Sequence, residues 1–245
     1  MSPRITVATG VRVLLQLRHD PRTLGLLIVV PCVLLAVIKG AFTGQAGTFD
    51  RIGGPLVGLF PLIIMFLITS ITMLRERTTG TLERLMTMPL SKLDLLAGYG
   101  VAFALVAVVQ ACAVSAFAFL VLGLDVAGSP ALVIVLATAN ALLGMALGLF
   151  VSAFATTEFQ AVQFMPAFIL PQLLLCGLFV ARNEMVGLLE AISWGLPMTY
   201  AYDALSRVTE SGPLGGDGLA DLGVTVGSML LALGLGALTL RRRTA

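Results

Sequence analysis

Residues 75–91 read RERTTGTLERLMTMPLS and place Arg75, Glu76, Arg77, Glu83 and Arg84 between two long apolar runs. Charges of alternating sign packed this closely suit ion pairing with a partner surface or with lipid headgroups, not bond-making chemistry. Gly80 lets the chain turn after Arg77. Leu82, Leu85 and Met86 then fall at i, i+3 and i+4, one apolar stripe on a short helix, with Glu83 and Arg84 on its other side. Pro89 ends that helix, and Ser91 with Asp94 three residues on has the form of a capping box that starts the next one. The residues alone leave two readings open: an interfacial helix that anchors the loop among anionic headgroups, or a docking knob for a soluble protein.

Other chemistry finds few residues to run on. No G-x-x-x-x-G-K-[ST] occurs, since Lys39 follows Ile38 and Lys92 follows Ser91, so the chain does not bind ATP by a P-loop and needs no cofactor of its own. H-E-x-x-H, C-x-x-C and G-x-S-x-G are absent, and the single His19 beside Asp20 reads as a solvated residue, so catalysis is not expected. Cys32, Cys112 and Cys176 are odd in number and each lies inside an apolar block, which argues for small core residues and against a disulfide framework or a metal site. A net charge of +2 offers a nucleic acid nothing. Within the apolar blocks the polar residues are chiefly Gln110, Asn140 and Gln172. Gln110 and Asn140 are candidates for lining a substrate path, although such residues more often join helices. The interiors of the blocks contain essentially no charged residues, which disfavours a proton-coupled carrier.

The elements that position these residues follow from composition. The chain is 58% hydrophobic and 11% charged, against roughly 25% charged in an ordinary soluble domain. Its apolar residues come in long blocks, so the fold class is all-α, a polytopic membrane protein in which 1–245 form a single domain. Six blocks are long enough to span: about 23–42, 56–74, 93–122, 131–155, 163–180 and 219–240. The N-terminus lacks the small-residue exit of a cleavable signal, so the first block is expected to stay as a true span. Between the fifth and sixth blocks, 183–207 is too polar to span. Its Trp194, Tyr200 and Tyr202 suit the outer interface, as a re-entrant or interfacial helical pair or as a folded external loop. With the N-terminus inside, Arg4, Arg12, Arg18, Arg22, Arg75, Arg77, Arg84, Lys92 and Arg241 to Arg243 face the cytoplasm, and only Lys39, Arg51, Arg182 and Arg207 face out. That asymmetry places both termini inside. Gly144 with Gly148 and Gly223 with Gly227 have the G-x-x-x-G spacing, a weak signal among 26 glycines, and Pro31, Pro61, Pro166 and Pro171 mark possible kinks.

The stretch from Arg75 through Thr81, Leu82, Glu83, Arg84 and Leu85, continued by Pro89, resembles the R-E-[RK]-x-x-G-T-[LI]-E-x-L…P segment of ABC-2 type transporter permeases, especially the bacterial drug-exporter branch. Residues 153–166, AFATTEFQAVQFMP, are similar to a second stretch of that branch. The six-span pattern extends the resemblance over most of the chain. By that resemblance 75–91 is the coupling helix, between spans 2 and 3, that docks on a separate ATP-binding subunit, and Glu158 and Gln160 belong to a second cytoplasmic contact region. The resemblance also implies two permease copies in the bacterial cell membrane, as a homodimer, with two P-loop ATPase subunits that hold ATP and magnesium. The cargo it implies is amphipathic: drugs, lipids or glycans.

Overall fold

The computed structural model of this chain describes residues 3–45, 47–80 and 92–239. All its regular elements there are helical: α1 (Pro3–Arg18), α2 (Pro21–Ala41), α3 (Thr48–Thr78), α4 (Lys92–Ala116), α5 (Pro130–Val151), α6 (Glu158–Leu175), α7 (Gly187–Ser193), α8 (Pro197–Glu210) and α9 (Gly215–Thr239). A single π turn (Phe117–Val121) extends α4, and a 3-10 turn (Arg182–Glu184) precedes α7. Local chemistry sets several starts. Asp20 caps α2 by accepting from the Thr23 backbone N–H at 3.2 Å, with Pro21 at the first helical position, where its missing N–H costs nothing. At α6, Thr157 Oγ1 accepts from Gln160 N–H while Gln160 Oε1 reaches back to Thr156 N–H, a reciprocal arrangement close to a capping box.

Among the described residues five stretches are long and apolar enough to cross a membrane: Pro21–Ala41, Thr48–Thr78, Ala97–Val121, Pro130–Val151 and Gly215–Thr239. The sixth expected block, 163–180, falls on α6, which starts earlier, at Glu158, and stops at Leu175. Glu158, three glutamines and two prolines keep α6 out of that set. Gly177, at φ +104, turns the chain two residues after its end. Thr48–Thr78 is longer than the 56–74 expected for the second span, because polar residues at both ends continue the helix beyond its apolar middle.

Helix ends gather at two poles. At one, α1 lies against the end of α3 and the start of α4, and the end of α3 meets the start of α6 and the turn after α5. At the other, Arg51 pairs with Glu210 at 3.0 Å, and the N–H groups of Ala127 and Gly128 donate to the carbonyls of Thr209 and Val208. α6 runs from the first pole to the second, where Gly177 meets the ring of Tyr202 on α8.

The core is built where α3 and α5 cross, the most extensive contact among the described residues. Leu59, Leu62, Phe66, Leu136, Leu143 and, from α8, Leu205 are buried there. Gly144 and Gly148 allow it, since a Cβ on either would overlap the carbonyl oxygen of Leu62 or Phe66. A second cluster joins Val13 and Leu17 of α1 to Met65 of α3 and to Tyr99 and Phe103 of α4. The helices turn apolar stripes outward, Leu26, Val29, Val33 and Val37 on α2 for example, as a lipid-facing bundle requires. The stretch 183–207 folds as the helical pair α7 and α8. α8 buries Met198, Ala201, Ala204 and Val208 against its neighbours, while Trp194 stays half exposed.

Candidate functional site

The charged triplet at the end of α3 is where the sequence expectation can be tested on side chains. Successive helical residues point about 100° apart, so Arg75, Glu76 and Arg77 leave α3 in three directions. Arg75 reaches α6: its Nε and Nη2 donate to both carboxylate oxygens of Glu158, at 2.7 and 3.0 Å. Glu76 turns inward, with Oε1 at 3.3 Å from the Arg12 guanidinium of α1, and Arg12 in turn donates to the Tyr99 hydroxyl of α4. Arg77 donates toward the Ser152 carbonyl, just past α5, at 3.5 Å. Three consecutive residues thus tie α3 to α6, to α1 and α4, and to the end of α5.

The three ties differ in kind. Arg75 and Glu158 are both about half exposed, so the pair contributes at most about 1 kcal/mol and can open without large cost. Its fork geometry holds the Glu158 carboxyl below the usual carboxylate range. Glu76 is 6% exposed, and a buried carboxylate is tolerable only with its cation in place. α3 ends at Thr78. Gly80, at φ +71, lies in the left-handed region that glycine adopts just past a helix C-cap and turns the chain out of α3.

The rest of the expected docking set, Thr81, Leu82, Glu83, Arg84, Leu85 and Pro89, lies outside the described residues. What is described is the frame around it. Residues 81–91 leave from Gly80, beside the Arg75–Glu158 pair, and return at α4, where Asp94 is buried and Tyr99 meets Arg12. Glu158, placed in the second contact region by resemblance, stands against Arg75 of the first. Gln110 and Asn140 sit inside the bundle. Gln110 Nε2 donates to the Leu27 carbonyl at 2.9 Å, and Asn140 Nδ2 lies 3.4 Å from the Ala201 carbonyl. Sequence reasoning missed Arg12 and Tyr99, which are 64 and 23 residues from Glu76. The available signal was an arginine set among the apolar residues of a short amphipathic N-terminal helix.

The family resemblance can be checked independently of geometry. The sequence model of the ABC-2 type transporter family matches residues 6–209, from within α1 to the end of α8. The chain belongs to the ABC-2 type transporter family. The match takes in the whole charged triplet and its partners Arg12, Tyr99, Ser152 and Glu158. Two curated relatives, each described as a probable multidrug ABC transporter permease, YbhR, come from Escherichia coli K12 and Escherichia coli O157:H7. Each is 28% identical over 153 residues, 62% of this chain and 42% of the relative, so the similar region covers less than half of those longer proteins. Family membership and the apolar helices together make this ABC-2 chain a multi-pass membrane protein.

Proposed function

We propose that this chain is the membrane-spanning subunit of an ATP-binding-cassette exporter, driven by a separate P-loop ATPase that docks on residues 75–91. The observation that carries the reading is the triplet at the end of α3. The segment with the family's docking motif emerges where α3 is tied to α1, α4, α5 and α6 at once, so a push there reaches four other helices of that pole. In this reading α6 is the sixth crossing. Its 18 residues span about 27 Å, close to the roughly 30 Å of a bilayer core. The pole with seven of the eleven described lysines and arginines faces the cytoplasm, and the sequence asymmetry puts both termini on that side.

ATP and magnesium bind on two partner subunits. Their closure moves the 81–91 segments of two permease copies, most simply a homodimer in a bacterial cell membrane. The exposed Arg75–Glu158 pair breaks and reforms, while the buried Arg12–Glu76–Tyr99 set moves as one piece with α3. The result is an exchange between inward-open and outward-open bundles. The cargo is a hydrophobic or amphipathic molecule taken from the cytoplasm or the inner leaflet, as a path with few fixed charges suits. A rival reading, a scaffold or sensor that only holds a cytoplasmic partner, shares the docking but not the transport.

The test is the double reversal Glu83→Lys with Arg84→Glu. Insertion and folding should be retained, co-purification with the ATPase weakened, and ATP-dependent efflux from vesicles lost. Normal efflux in that variant sinks the docking role, and intact docking without any ATP-driven flux in the parent favours the scaffold.

A further inference from the structure

A groove with a cavity of about 690 Å³ lies between the end of α1, the first half of α2 and the last turns of α3. Leu26, Val30, Ile64, Leu67 and Ile68 line its deep part, and Gln16, Asp20, Thr23 and Arg75 line its mouth at the charged pole. From Asp20 to Val30 the chain advances ten residues along α2, about 15 Å, which is half of the roughly 30 Å hydrocarbon core and so the depth of one leaflet. Leu26 is 59% exposed on the stripe that α2 turns outward with Val29, Val33 and Val37, so the groove is continuous with the lipid-facing surface. An apolar slot of this depth, open at its side, has the shape of an acyl chain.

The charge around the mouth selects the headgroup. Among the described residues this pole carries seven basic and four acidic residues. The acids beside the groove are already committed. Glu76 is held by Arg12 and Tyr99, and its Oε2 has no surface toward the groove. Glu158 takes Nε and Nη2 of Arg75, and Asp20 uses both oxygens on Thr23 as the cap of α2. The cations are not used up in the same way. Arg75 Nη1 makes no bond among the described residues. Arg18 and Arg22 are exposed at the corner between α1 and α2 and make no ion pair there, and Arg77 on the Ser152 carbonyl adds to the same excess. Arg22 lies one helical turn before Leu26 on the outward stripe, which sets its guanidinium at headgroup level beside the open flank of the slot. Gln16, exposed at the rim, adds a neutral donor.

We propose that this groove holds one anionic phospholipid of the inner leaflet. An acyl chain lies along Leu26, Val30, Leu67 and Ile68, and the phosphate sits among Arg22, Arg75 and Gln16, a basic pocket between helices of the kind that suits such headgroups. The bound lipid fastens the α1–α2 corner to the end of α3. Naming the inner leaflet rests on the orientation in the exporter reading, whereas the binding rests on the groove.

The full chain in dodecyl maltoside is titrated with dioleoylphosphatidylglycerol, and bound lipid is counted by native mass spectrometry. Dioleoylphosphatidylcholine, with the same chains and no net charge, and glycerol phosphate, a headgroup without chains, are run beside it. One phosphatidylglycerol per chain should bind at least about tenfold more tightly than phosphatidylcholine, and glycerol phosphate should not bind. Leu67→Trp fills the slot and should abolish the tight site. Arg22→Gln, a change at an exposed position, should weaken phosphatidylglycerol about fivefold and leave phosphatidylcholine as it was. If Leu67→Trp does not fold, Arg22→Gln and the two reference ligands still decide. Equal affinity for the two lipids, glycerol phosphate binding as tightly as phosphatidylglycerol, or unchanged phosphatidylglycerol binding in either variant overturns the site. A Leu67→Trp chain that loses a dimer but keeps its lipid puts a second copy in the groove and overturns it too. Neither ATP nor an ATPase enters this measurement. Lipid binding without ATP-driven flux therefore removes the exporter reading and keeps the groove, and flux without this binding removes the groove alone.

Discussion

Arg75 and Glu76 are neighbours in sequence, yet their ion pairs differ in worth because burial, not formal charge, sets the cost of breaking them. Arg12→Met strands Glu76 in a buried position and should cost about 3 kcal/mol, the lower end of the buried-pair range because Arg12 is 30% exposed. Arg75→Met should cost under about 1 kcal/mol. Adding Glu76→Gln to Arg12→Met should recover most of the loss. Unfolding of the detergent-solubilised chain measures all three, and equal costs for the two arginine variants would contradict the assignment. A second residue titrates in a useful range. Asp203 on α8 accepts from Arg182 Nη2 at 2.6 Å, and that guanidinium also lies 4.3 Å from the Trp194 ring centre. Burial outweighs the pull of Arg182 and pushes Asp203 up to about 6 from an ordinary 3.8. The folded chain then holds a proton that the unfolded chain gives up, so between pH 6 and 4 this group adds stability as pH falls, and it adds none of this above pH 6. The melting midpoint of the parent relative to Asp203→Asn should rise as pH drops through 6 and level off near 4. A relative midpoint that falls on acidification would show the opposite shift.

At the scale of elements, glycine placement separates a helix seam from an open face. Gly144 and Gly148 have the same spacing as Gly223 and Gly227, but only the first pair is filled. A Cβ at Gly144 or Gly148 would run into backbone of α3, and nothing stands within 4 Å of one at Gly223 or Gly227. Gly144→Ala should therefore cost at least about 1–3 kcal/mol by overpacking, and Gly227→Ala should stay within about 0.5 kcal/mol, both read from thermal unfolding of the purified chain. The sequence shows the motif in both places and cannot say which is used, because the partner helix is remote in the chain. The long apolar helices were legible because about 20 apolar residues in a row have few other uses. α1 was not: Arg4, Arg12 and Arg18 break its apolar pattern, and its stripe of Val7, Val11 and Leu15 is visible only at helical spacing. α6 was misplaced by five residues at each end. Gln160 and Gln163 lowered its apparent apolarity, while the start signal at Thr157 and the stop near Gly177 are local features that hydropathy does not weigh.

For the molecule as a whole, the two poles differ in charge. Among the described residues one carries seven basic and four acidic residues, the other four and eight, a polarity that suits a fixed orientation in a membrane with the basic pole inside. The motif of the candidate site was readable as a string, and so was its family. Its anchoring was not, since Arg12, Tyr99 and Ser152 join Glu76 and Arg77 only when α1, α4 and α5 are brought to the same end of the bundle. In the proposed function an ATPase docks at this pole. It is tested most directly by placing the photo-crosslinker p-benzoylphenylalanine at position 79, just before Gly80, and at position 188, exposed on α7 at the other pole, and irradiating intact cells. A cross-link from position 79, and not from 188, to a polypeptide with a P-loop is the expected result; no such adduct from 79, or one from 188 in its place, would contradict the account.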